Sequence, residues 1–134
     1  MNHAPRQKLR EIIRKNGRAV IENPRRTENL LRDYCGEFRR EIFVLMMALE
    51  EHAVADLLAA SALPRQVTRA RLAQKLRDNL ALSEAAAQWS IESWAWALGL
   101  MTDAEIANET EIPAEQSEID RAEKLADHRG RALD

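Results

Sequence analysis

The segment from Ser83 to Met101, SEAAAQWSIESWAWALGLM, constrains this chain most, because it holds all three tryptophans in one stretch of helical periodicity. Ala87, Ile91, Trp94 and Leu98 recur at spacings of four, three and four, which places them on one stripe of an α-helix. At about 100° per residue, Trp89 and Trp96 fall roughly opposite that stripe. A helix that is apolar on two faces is either enclosed by neighbours or presents one face to a partner. Trp94 is therefore expected in the core. Trp89 and Trp96 are the first candidates for protein-binding anchors, and at least one is expected to be exposed in the monomer or covered by another chain. The alternative for both is packing against the third and fifth helices.

The rest of the chain reads as helix as well. Ala, Leu, Glu, Arg and Gln dominate, β-branched residues are sparse, and there are only four glycines and four prolines in 134 residues. The first helix is expected from about Pro5 to Asn16, with Leu9, Ile12 and Ile13 buried and Gly17 ending it. Asn23-Pro24 has the form of an N-cap followed by proline at the first helical position. Helix two carries Leu30, Leu31 and Tyr34 and stops at Gly36. Helix three, from about Glu37 to His52, has Phe38, Ile42, Leu45 and Leu49 on one stripe and Phe43 and Met47 near the other side. It is expected to be the most buried helix. A short helix with Val54, Leu57 and Leu58 follows, then a loop around Pro64. Helix five spans about Val67 to Leu80, with Leu72, Leu76 and Leu80 in register. Ser83 caps helix six and Gly99 ends it. Short connections make this an all-α, compact bundle of five or six short helices, residues 1–101.

Charge separates the ends of the chain. Residues 1–26 carry eight Lys or Arg against two Glu, a local charge of +6. Residues 102–134 carry ten acids against four bases, a local charge of −6, with almost no apolar period. That segment is expected to be a mobile acidic C-terminal tail or linker, with a transient helix around Ser117 to Asp127. The overall formal charge of −2 gives no general argument for nucleic acid or membrane. The longest apolar run, Ile42 to Leu49, is far short of a membrane span, and MNHAPRQKLR has no signal-peptide core. Cys35 is the only cysteine, which fits a reducing, cytoplasmic location.

No catalytic pattern stands out. His3 and His128 lie near the ends, His52 lies at a helix end, and no pair has metal-ligand spacing. Cys35 reads as a small buried residue more readily than as a nucleophile paired with His52. Glu37 and Glu41 share a helix face, but no histidine follows any glutamate by three, so a di-metal bundle lacks its signature. Phosphate-binding glycine loops, HExxH and GxSxG are missing. Arg39 and Arg40, at the start of the most hydrophobic helix, read either as exposed charges or as docking residues for an acidic partner or for the chain's own acidic tail. The basic first segment has no interleaved aromatics and no recognition helix after it, so its arginines are expected on the outer face of helix one and nucleic acid is disfavoured.

The stretches NPRRTENLLRDYCGEFRREIFVLMMALEE and RLAQKLRDNLALSEAAAQWSIESWAWALG resemble a helical module of bacterial, notably cyanobacterial, multidomain proteins. There it is coupled by linkers to signalling, chaperone or effector-type domains. The likeness covers about residues 8–100 and carries no catalytic residues with it. It implies a bacterial accessory or adaptor role. The expected function is a non-enzymatic helical protein–protein interaction module, with Trp89, Trp96, Arg39 and Arg40 as contact candidates and a protein partner or homo-oligomer as occupant. No cofactor, metal, small-molecule substrate or membrane is expected. The rival readings are an oligomer-forming structural domain, a nucleic-acid-binding domain and an enzyme of unrecognised type.

Overall fold

Asn23 and Ser83 start helices in the way their side chains predict. Asn23 Oδ1 accepts from the backbone N–H of Arg26 at 3.2 Å, and Ser83 Oγ accepts from that of Ala86 at 3.1 Å. Each satisfies an N–H that the first helical turn leaves without a partner. The computed structural model describes residues 1–59 and 64–110. The α-helices are α1 (Ala4–Asn16), α2 (Pro24–Cys35), α3 (Arg39–Glu50), α4 (Ala53–Ala59), α5 (Arg65–Leu80), α6 (Glu84–Ala97) and α7 (Asp103–Thr110). The 3₁₀ turn Arg18–Glu22 buries Val20 between α1 and α2. There is no strand among the described residues, and the fold is all-α.

Helix ends follow local chemistry too. α6 closes in a Schellman arrangement, with Leu100 N–H donating to Ala95 O at 2.7 Å and Gly99 N–H to Trp96 O at 3.1 Å. Gly99 takes a φ of +80°, which a side chain would resist. Gly36 has an ordinary φ but no room: a Cβ there would meet Arg32 O at 2.6 Å.

The chain divides into two units, Met1–Thr102 and Asp103–Asp134. In the first, α6 packs against α1, α3, α4 and α5, while α2 bridges α1 and α3. The expectation that helix three is the most buried is corrected by this arrangement. From Ala86 to Ala97 only Gln88 of α6 is exposed, whereas α3 keeps an outer face in solvent. The reason is that α6 is apolar all round, and four neighbours are needed to cover it. Two buried side-chain bonds fix it to α3: Trp94 Nε1 donates to Leu45 O and Ser90 Oγ to Val44 O, each at 3.0 Å. Trp94 and Leu45 are fully buried, as expected.

Other departures are local. Tyr34 is 43% exposed, and α2 instead buries Thr27, Leu31 and Cys35. Thr27 faces inward because its hydroxyl finds the Val20 carbonyl at 2.7 Å. In the second unit, Asp103–Thr110 is helical where the sequence reading places a tail. The transient helix expected at Ser117 to Asp127 lies outside the described residues.

Trp94→Ala should therefore cost about 3–5 kcal/mol, and Phe43→Ala on the exposed side of α3 less than about 1 kcal/mol. Urea unfolding followed by far-UV circular dichroism measures both. Equal losses would contradict this assignment of inside and outside.

Candidate functional site

The tryptophan face is occupied within a single chain. Trp89 and Trp96 are only 6% and 7% exposed, so the expectation that one of them is open to solvent is corrected. The cover is α1. Arg6 sits 5.1 Å from the Trp89 ring, Arg10 sits 4.3 Å from the Trp96 ring, and the His3 ring lies 5.6 Å from that of Trp96. These basic residues do not point outward from helix one; two of them roof the indoles as cations on π-faces. His3, expected near a frayed end, is part of the same roof.

Arg6 is the extreme case, with no exposed surface. Its Nε donates to Ser93 Oγ at 2.9 Å and its Nη2 to Trp89 O at 3.2 Å. Burial lowers its pKa to about 10, with the Glu92 carboxylate pulling the other way. Arg6 stays charged near neutral pH in both folded and unfolded chains and gives no pH dependence there. Above about 10 the unfolded chain holds the proton that the folded chain has released, so the cost of burying this cation is relieved as pH rises further. Burying a cation costs several kcal/mol. Two indoles, at about 200 Å² each and about 25 cal/mol per Å², offset it. The signal was in the sequence: Arg6, Leu9 and Ile13 share one stripe at spacings of three and four.

The outer face of α3 is different. Phe43 is 56% exposed, the most exposed large apolar side chain among the described residues. Arg39 and Arg40 lie one turn before it, Met47 is half-buried one turn after it, and Glu50 and Glu51 follow. The side chains of Arg39, Arg40, Glu50 and Glu51 make no hydrogen bond or ion pair among the described residues. Phe38 at the N-cap supplies no side-chain acceptor either. Sequence reasoning singled out Arg39 and Arg40 but missed Phe43, Glu50 and Glu51 as their company. Phe43 could have been found by its place off the Ile42, Leu45, Leu49 stripe.

The remaining candidates do not converge. Cys35 is buried at the end of α2, and burial pushes its thiol pKa up, away from the reactive thiolate. His52 is exposed at a backbone φ of +65°. Glu41 accepts from the Asn2 backbone N–H at 2.9 Å, while Glu37 is exposed. No group of three or more His, Cys, Asp or Glu among the described residues could hold a metal. A cavity of about 80 Å³ lies between α4, α5 and α6, lined by Leu57, Leu58, Arg65, Thr68, Arg69, Ala95 and Leu100. That lining contains no carboxylate, thiol or imidazole for acid–base or nucleophilic work. Arg14, Lys15, Arg18, Arg25 and Arg26 are exposed around the α1–α2 corner, where Arg26 Nη2 reaches Asn16 Oδ1 at 3.4 Å. No helix among the described residues is long and apolar enough to cross a membrane. No family model, curated protein or solved structure matches the chain.

Arg6→Ala should destabilise the fold by about 3–5 kcal/mol, because it empties a fully enclosed site and removes the bonds to Ser93 Oγ and the Trp89 carbonyl. Arg10→Ala, which removes a partly exposed cation–π contact, should cost about 1 kcal/mol or less. Urea midpoints distinguish the two, and a neutral Arg6→Ala would refute the roof described here.

Proposed function

We propose that this chain is a non-enzymatic helical protein–protein interaction module, acting in the cytoplasm, whose contact surface is the outer face of α3. The observation that carries this reading is Phe43, an aromatic side chain 56% exposed between two unpaired arginines and a half-buried methionine. Aromatic residues, methionine and arginine are the types enriched where proteins bind one another. An exposed phenylalanine costs solubility, and a partner that covers it removes that cost. Trp89 and Trp96 serve this function from beneath: they hold α6 and α1 together and thereby keep α3 rigid from behind. Arg39 and Arg40 remain contact residues, now with Phe43 as the apolar anchor. The resemblance to a bacterial accessory module points the same way, and the lining of the α4–α6 cavity gives an enzyme reading no support.

The test places the photocrosslinker p-benzoylphenylalanine in place of Phe43, with the same residue in place of exposed Asn79 on α5 as the control. Discrete protein adducts at position 43 and none at 79 are expected after irradiation in the source cell. Equal, diffuse labelling at both positions would refute the assignment.

A further inference from the structure

Resting on the reading of the α3 face as the contact surface, we propose that its occupant is a second copy of this chain, packed antiparallel through α3 in an isologous dimer. The charges along α3 are only partly matched to its own dipole. The N-terminal end of a helix disfavours cations and the C-terminal end disfavours anions. α3 has Arg39 and Arg40 in its first turn beside Glu41, and it ends on Glu50 and Glu51 with no basic residue in its last turn. The side chains of Arg39, Arg40, Glu50 and Glu51 have no hydrogen-bond or ion-pair partner among the described residues. Within the monomer the acidic C-terminal end of α3 has no basic residue in its last turn to offset it.

A second copy offsets these charges. Residues 39 and 51, 40 and 50, and 43 and 47 are three pairs symmetric about position 45. A two-fold axis at that level lays two copies of α3 antiparallel and brings Phe43 of each against Met47 of the other. Arg39 and Arg40 of each copy then face Glu50 and Glu51 of the other, at both ends of the contact. Each arginine pair also lies beside the carbonyl end of the neighbouring helix, where the dipole favours a cation. The face is self-complementary in charge and in apolar content, which is what an isologous two-fold contact requires. The aromatic and the thioether at its centre can meet ring against sulfur. Positions 40, 43, 47 and 50 are at helical spacing on one stripe, so all face the neighbour together.

The contact is small. Twelve residues at 1.5 Å each make a helix of about 18 Å, and one such helix pair covers less than the roughly 800 Å² per partner of a standard interface. The dimer is accordingly a weak one that forms with rising concentration and loosens with salt.

Sedimentation equilibrium of the full chain, over a concentration series reaching several hundred micromolar and at low and high salt, reads the association directly. Two charge-swap variants carry the decision: R39E with R40E, and E50R with E51R. Each alone faces like charge with like at both ends of the contact, and its self-association should fall at least about tenfold. Mixing the two should restore a 1:1 heterodimer, and combining all four changes in one chain should restore the homodimer. The first variant also puts carboxylates at the N-terminal end of α3, so its monomer should unfold at higher urea than wild type even as its association is lost. A merely structural role for these residues cannot produce that pairing of gain and loss. The proposal is overturned if the wild-type chain stays monomeric throughout the series, if either swap associates as wild type does, or if neither the mixture nor the fourfold variant recovers. A monomeric wild type whose position 43 still crosslinks to a different protein would overturn the second copy alone and leave the interaction module standing.

Discussion

Trp94 donates its indole N–H to the Leu45 carbonyl at 3.0 Å, from a ring with no exposed surface, and the order of the first unit follows from that anchorage. It joins α3 and α6 along their inner faces. With Ser90 bonded to the preceding carbonyl, α6 cannot rotate without leaving a buried donor unsatisfied. Its opposite face, bearing Trp89 and Trp96, is then aimed away from α3 and must be covered by something else. α1 covers it, and the cost of a buried arginine is accepted for two enclosed indoles.

The helices and their ends were largely legible in the sequence because they depend on local chemistry. Asn23 and Ser83 cap through their own side chains, and Gly99 supplies a φ of +80°. Trp94 was legible as core because its stripe has a simple period. What lay beyond local reading was which neighbour covers which face. Two apolar faces on α6 are compatible with a partner or with α1, and only the long-range docking of α1 decides. The basic charge of the first segment obscured this, because arginine is usually solvated. Here Arg6 is held by Ser93 and the Trp89 carbonyl, so a charged residue behaves as part of the core.

The same lesson applies to the proposed contact surface. Large aromatic residues draw attention, yet the three tryptophans are spent on the interior. The less conspicuous Phe43 stands in solvent, on a helix with no basic residue in its last turn. Arg39 and Arg40 were recognisable as unusual from sequence because they open the most hydrophobic helix. Their relation to Glu50 and Glu51 becomes visible only once the bounds of α3 and its outer stripe are fixed. The rigid packing of α6 behind α3 and the open stripe in front are two sides of one element, and the proposed function uses both.

The central claim is that the tryptophan face is closed within one chain and that contact is made elsewhere. Fluorine NMR of the 5-fluorotryptophan-labelled protein, held dilute enough to be monomeric, tests it site by site. The account predicts three dispersed resonances, none shifting appreciably when water is exchanged for D₂O. A resonance assigned to Trp89 or Trp96 that shows the full solvent shift of the urea-unfolded chain would contradict it and return the contact surface to α6.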